Sequence, residues 1–127
     1  MEDLRQRCIY DIHFEQNDKI FWKYVKNVHE NCLGYINEDC SKRAHDALLL
    51  DYAETMRCVE DTFKRGAIDD HRAANTVLEM ERQYWNQYGA HFYPSIVINN
   101  RTYRGVFESE SVFNSLCAGL QSPPKIC

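Results

Sequence analysis

Cysteines are the residues of this 127-residue chain with the greatest capacity for chemistry. A redox dithiol or a zinc ribbon uses the spacing Cys-x-x-Cys, and no pair of cysteines here has that spacing. An even number of cysteines without metal-ligand spacing favours three disulfides, hence an oxidising lumen or the cell exterior. The alternative is six reduced cysteines that pack as small apolar residues. The six are Cys8, Cys32, Cys40, Cys58, Cys117 and Cys127.

Six cysteines allow 15 pairings, and the sequence does not choose among them. The pairing that we favour is Cys32–Cys40 across the loop between two helices, Cys117–Cys127 at the tail and, by elimination, Cys8–Cys58.

The remaining candidates for chemistry give weaker signals. The five histidines are not spaced as metal ligands, so they are interpreted as surface or hydrogen-bonded residues. Those beside acidic residues would titrate between neutral and endosomal pH and could loosen a partner. No Ser-His-Asp order or phosphate-binding loop is recognisable. The sequence therefore predicts no metal, no cofactor and no catalytic residue.

Pro94 begins an apolar segment that reads as a strand, a turn over Asn99–Arg101 and a returning strand over Thr102–Arg104. A closing helix follows. That order is typical of the back half of a thioredoxin-like fold, in which a cis proline lies beside the redox site. We expect a cis bond between Tyr93 and Pro94, although a trans proline is also acceptable at the first residue of a strand.

Without cysteines facing Pro94, an extended peptide could dock there as an added strand. The predicted peptide-binding residues are Tyr93, Pro94, Ser95 and Arg104, the last to grip a peptide carboxylate. The neighbouring aromatic residues are interpreted either as core or as the wall of a ligand groove. They are Tyr84, Trp85, Tyr88, Phe92 and Tyr93. A glycosylation sequon at Asn100, Asn100-Arg101-Thr102, falls on the predicted turn.

Helices must position these residues. Hydrophobic periodicity predicts helices over residues 3–14, 18–32, 38–50, 51–66 and 70–88 before the hairpin, and over 108–120 after it. Asp18 and Asp51 are predicted N-caps, and Gly34 a C-terminal stop. Trp22 and Trp85 are expected to lie in the core.

The predicted fold class is α+β and mostly helical, a partial thioredoxin-like fold. One domain would span residues 1–127, with a helical part over 1–90 and the hairpin and final helix over 91–127, as a fragment of a longer lumenal region. Two strands make a thin sheet, so either helices cover it or further strands precede Met1. The net charge of −4 argues against a nucleic-acid binder. No apolar run approaches the ~20 residues that span a bilayer.

Two C-terminal segments, Asn99–Gly105 and Leu116–Leu120, together with the closing Pro-x-x-Cys127, resemble the lumenal central region of vacuolar sorting receptors. These type I membrane receptors carry soluble cargo to plant and protist vacuoles. The resemblance extends upstream through Leu4-Arg5-Gln6 before Cys8. All six cysteines fall where that family has them.

The resemblance implies a non-catalytic thioredoxin-like domain that contributes to recognition of short sorting signals. Cargo would be bound in the Golgi and released in a later, more acidic compartment. The chain lacks the family's protease-associated domain and calcium-binding modules, and its loop after the fourth cysteine is partly basic at Lys64 and Arg65. Cargo identity therefore does not transfer.

The favoured hypothesis is a lumenal binding module whose partners are protein or peptide cargo and adjoining receptor domains. It would have no nucleic-acid partner, and membrane contact only through a transmembrane segment outside this chain. Its compartment would be the secretory lumen, from Golgi to vacuole or endosome, or the exterior. The alternatives are a thiol-disulfide oxidoreductase and a structural subunit of a larger lumenal or extracellular assembly.

Overall fold

A computed structural model describes residues 1–65, 68, 70, 72–90, 92 and 94–127, and the backbone alone at Arg65. The prediction of a mostly helical α+β chain, with five helices before a hairpin and one after it, is confirmed. None of the helices in these described ranges is long and apolar enough to cross a membrane. The elements are α1 Glu2–His13, α2 Asp18–Cys32, α3 Glu38–Ala47, α4 Tyr52–Asp61, β1 Phe63–Arg65, β2 Ala74–Asn75, α5 Thr76–Tyr88, β3 Val97–Ile98, β4 Arg101–Thr102 and α6 Ser109–Ala118.

The chain forms two compact units, which we call unit 1, Met1–Val77, and unit 2, Leu78–Cys127. The boundary falls inside α5. Unit 1 contains the first four helices and the antiparallel pair β1–β2, and unit 2 contains the antiparallel pair β3–β4 followed by α6. The organisation of residues 1–127 as a single domain stays a prediction.

Unit 1 has two clusters of buried apolar side chains. One lies among α1, α2 and α3 and includes Ile9, Tyr24 and Val28; the other includes Leu4 and Val59, from α1 and α4. Burying one such side chain contributes about 1.5–3 kcal/mol. These clusters explain why the helices of unit 1 pack together.

Disulfides join every cysteine of the chain. Within unit 1, Cys8–Cys58 links α1 to α4 and closes a separation of 50 residues. Cys32–Cys40 links the end of α2 to the start of α3. In unit 2, Cys117–Cys127 links α6 to the tail. These are the three pairs put forward from the sequence.

A buried polar network lies at the centre of unit 1. The Tyr24 hydroxyl lies 2.7 Å from the Ser41 hydroxyl, and it donates to Glu2 Oε1 at 3.0 Å. His45, with no exposed surface, has Nδ1 at 2.7 Å from the Ser41 carbonyl oxygen and Nε2 at 3.1 Å from the Thr55 hydroxyl. Burial raises the pKa of Tyr24 and lowers that of His45. Both side chains are therefore uncharged at neutral pH.

Two predicted helix boundaries in unit 1 are wrong. The helix predicted to run to residue 66 ends at Asp61, and the helix predicted from residue 70 begins at Thr76. The cause is a non-local contact: the Asn75 amide donates to the Thr62 hydroxyl at 2.7 Å, and the Thr76 N–H donates to the Thr62 carbonyl at 2.9 Å. These bonds accompany the pairing of β1 with β2, which the sequence pattern did not predict.

Three further expectations for unit 1 need correction. The helix predicted to end at residue 50 ends at Ala47. The N-cap of α2 is Asn17, whose side chain accepts from the Lys19 N–H at 3.2 Å, rather than Asp18. Trp22 is 66% exposed and does not belong to the core, because the buried face of α2 is formed by Tyr24, Val28 and Cys32.

Candidate functional site

The end of α5 and the following hairpin form the frame of the candidate site in unit 2. After α5 the chain turns at Gly89, with φ of 60°, and Ala90 is buried. The Ala90 N–H donates to the Trp85 carbonyl at 3.0 Å. The Thr102 hydroxyl of β4 donates to the Tyr88 carbonyl, which fastens the hairpin to the end of the helix. The helix and hairpin therefore hold their side chains in a fixed relation.

Between these elements lies an open cleft of about 220 Å³, which we call the aromatic cleft. Tyr84 and Tyr88, one turn apart on α5, stack with ring centroids 6.0 Å apart. Tyr84 is 46% exposed, so its ring is not buried in the core. The cleft suits an apolar side chain, because aromatic walls offer large contact area at low entropic cost. Its lining residues are Glu81, Tyr84, Trp85, Tyr88, Ala90, Ser95 and Val97.

Ser95 is the predicted binding residue that the structure places in the aromatic cleft. Its hydroxyl donates to the Phe92 carbonyl, which fixes the segment before β3. Pro94 is exposed in a bend and does not begin a buried strand, because β3 starts at Val97. Tyr93 lies outside the described residues, and so does the geometry of the Tyr93–Pro94 bond.

Arg104 does not line the aromatic cleft, and it lies beyond β4, which ends at Thr102. Its guanidinium donates to the Gly89 carbonyl at 3.4 Å and lies 5.8 Å from the centroid of the Phe92 ring. These contacts fasten the segment after the hairpin to the turn that ends α5. A direct contact between Arg104 and a peptide carboxylate stays a prediction.

A second apolar groove, which the sequence reasoning missed, lies along α6. Its volume is about 470 Å³. The apolar residues Phe113, Leu116 and Leu120 are 39%, 45% and 47% exposed. Helical periodicity identifies such a face correctly, but it does not show whether anything covers it. The lining residues are Ile96, Phe107, Glu108, Ser109, Val112, Phe113 and Leu116.

The described lining of the aromatic cleft is aromatic and apolar apart from Glu81 and Ser95. Both of its cysteines are in one disulfide, and the lining of the aromatic cleft includes neither cysteine nor histidine among the described residues. The chain thus consists of a disulfide-linked helical unit, followed in sequence by a helix–hairpin–helix unit with an open apolar cleft. Ligands commonly occupy such apolar depressions in proteins.

Comparison with known proteins then gives the family. A model of the vacuolar sorting receptor thioredoxin-like domain matches residues 1–117, so the chain belongs to this family. The chain is 29% identical, over its whole length, to vacuolar-sorting receptor 4 of Arabidopsis thaliana. It is 27% identical over 99% of its length to receptor 6 of that plant, and 26% identical over its whole length to receptor 1 of Pisum sativum. It spans about a fifth of the length of these relatives. The resemblance seen in the sequence is confirmed, and with it the thioredoxin-like fold.

Proposed function

We propose that this chain is a non-catalytic binding module of a lumenal cargo-sorting receptor, and that it recognises extended peptide segments of soluble cargo at the aromatic cleft. The observation that carries the proposal is the exposed ring of Tyr84 on the aromatic cleft, which Ser95, one of the predicted binding residues, also lines. Exposed, rigid aromatic side chains around an apolar depression are the usual anchors of protein recognition. Cargo and the adjoining receptor domains are the partners.

The neighbouring strand supports an extended ligand. Val97 of β3 lines the aromatic cleft and pairs with Thr102 of β4. Across the described ranges this sheet has two strands, so β3 pairs with β4 on one edge and with no strand on the other. A peptide strand added there would gain main-chain hydrogen bonds while one of its side chains enters the cleft. The chain would thus recognise one apolar side chain of the peptide and its backbone.

The proposed compartment is the lumen of the secretory pathway, between the Golgi and the vacuole or endosome. Three disulfides support it, because such bonds persist in oxidising compartments. The names of the relatives support a role in sorting to vacuoles.

A binding test needs a matched pair of tyrosine variants. A peptide selected from a phage-displayed library on the oxidised chain would be titrated by calorimetry against the wild type, Tyr84→Ala and Tyr35→Ala. Tyr35 is 82% exposed in unit 1 and controls for the loss of a surface ring. We expect Tyr84→Ala to weaken binding about 30-fold, the equivalent of ~2 kcal/mol for an anchoring side chain. Equal affinity of the two variants would contradict the cleft as the binding site.

A further inference from the structure

Asn99 and Asn100 form the turn between β3 and β4, and their side chains have different surroundings. Both have positive φ, 48° and 63°, which asparagine tolerates better than most residues with a Cβ. The Asn99 Nδ2 donates to the Gly119 carbonyl at 2.6 Å. Asn100 is exposed, and its Oδ1 accepts from the Tyr88 hydroxyl at 3.3 Å. Asn99 therefore uses its amide nitrogen in the fold, whereas Asn100 uses its amide oxygen.

We propose that Asn100 is a site of N-linked glycosylation. The segment Asn100-Arg101-Thr102 has the Asn-x-Ser/Thr pattern, and no other position of the sequence has it. The proposal rests on the lumenal location that the proposed function requires. The structure adds that the described side-chain hydrogen bond of Asn100 uses its oxygen, whereas that of its neighbour Asn99 uses the nitrogen.

The chemistry is a transfer of one oligosaccharide from a lipid-linked pyrophosphate donor in the lumen. The Asn100 Nδ2 forms a bond to the anomeric carbon of the first sugar. The bond between that carbon and the pyrophosphate oxygen breaks, the lipid pyrophosphate leaves, and the amide nitrogen gives up one proton. No atom is oxidised or reduced.

The folded hairpin can keep its contacts after the transfer. Glycosylation changes Nδ2, whereas the bond from the Tyr88 hydroxyl ends on Oδ1, which remains an acceptor. Tyr88 lines the aromatic cleft, so the glycan is attached beside one end of that cleft.

Secretion of the chain from eukaryotic cells, behind a cleavable signal sequence, tests the site. Digestion with a peptide-N-glycosidase should shift the product by a single glycan step on a gel, and mass spectrometry should locate the modification at residue 100. Asn100→Asp is the sharpest variant, because it keeps an oxygen acceptor for Tyr88 and tolerance of positive φ but has no amide nitrogen. It should abolish the shift.

Two variants control for local changes of structure. Asn99→Asp removes the donor to Gly119 but leaves the sequon intact, and Thr102→Ser keeps both the hydroxyl and the sequon; each should retain the glycan. Modification of most secreted, disulfide-bonded molecules supports the proposal, and modification of a minority or none overturns it. A glycosylated chain that binds no selected peptide would instead contradict the proposed function alone.

Discussion

The buried His45 makes the stability of unit 1 depend on pH, and the direction can be worked out from its surroundings. A carbonyl oxygen only accepts, so Nδ1 donates to Ser41 and the neutral Nε2 accepts from the Thr55 hydroxyl. That hydroxyl is also 3.3 Å from the Asp51 carbonyl, so it can turn to donate there if Nε2 gains a proton. The hydrogen bonds therefore permit either form, and burial is what opposes the charge.

Burial is the largest effect and lowers the pKa of His45 from its ordinary value of 6.5. The Ser41 hydrogen bond and the Glu2 carboxylate oppose this change, Arg5 adds to it, and Asp46 has the smallest, opposing effect. The unfolded chain therefore binds a proton at a higher pH than the folded chain. The neutral, buried His45 therefore contributes fully to stability above about pH 6.5. As the pH falls below that value this contribution is lost, and the free energy of unfolding decreases with a limiting slope of about 1.4 kcal/mol per pH unit until the folded-state pKa is reached.

Guanidinium unfolding followed by circular dichroism, from about pH 7.5 to about pH 5, measures this slope. His45→Gln should lower the free energy of unfolding at neutral pH by about 1–3 kcal/mol, because polar partners lose their bonds, and should flatten the pH dependence. The control is His29→Gln, on the exposed side of α2, which also removes an imidazole and should change the free energy of unfolding at neutral pH by less than about 0.5 kcal/mol. Parallel pH profiles for the wild type and His45→Gln would refute the reasoning.

Three further predictions concern the disulfides and the surface. Replacing Cys8 and Cys58 together by alanine should lower the free energy of unfolding by about 4 kcal/mol, against about 2.5 kcal/mol for Cys32 and Cys40, because the separations closed are 50 and 8 residues. Chemical denaturation of the two double variants compares these losses, and equal losses would contradict the entropic explanation. Trp22→Ala should change the free energy of unfolding, measured by chemical denaturation, by less than about 0.5 kcal/mol, because the side chain is exposed. A loss of several kcal/mol would place the side chain in the core. The oxidised chain should not accelerate insulin reduction by dithiothreitol, since none of its three disulfides joins cysteines at the Cys-x-x-Cys spacing of a redox dithiol; acceleration would favour the oxidoreductase.

Local signals in the sequence predicted most of the helical framework. Asp51 caps α4 as predicted, accepting from the N–H groups of Ala53 and Glu54 at 2.8 and 3.1 Å. Gly34 follows the end of α2 with φ of 91°, which few residues other than glycine adopt. Each of these features depends on residues within one turn of helix, and such signals are visible in a sequence.

Non-local contacts account for the errors. The predicted start of α5 differs from the observed one because Asn75 forms a hydrogen bond with Thr62, a residue 13 positions earlier. No local sequence pattern indicates that contact. The prediction of the site was incomplete for the same reason. Periodicity placed Tyr84, Trp85 and Tyr88 on one face of α5, but it left open whether that face was part of the core or lined a groove. In the structure, Tyr84 remains exposed and lines a cleft.

Hydrogen–deuterium exchange of the oxidised chain, with and without the selected peptide, tests the central claim most directly. The account predicts added protection in unit 2, concentrated in the Glu81–Tyr88 part of α5 and in Val97 and Ile98 of β3, with unit 1 unchanged. Protection confined to unit 1, or to α6, would contradict recognition at the aromatic cleft.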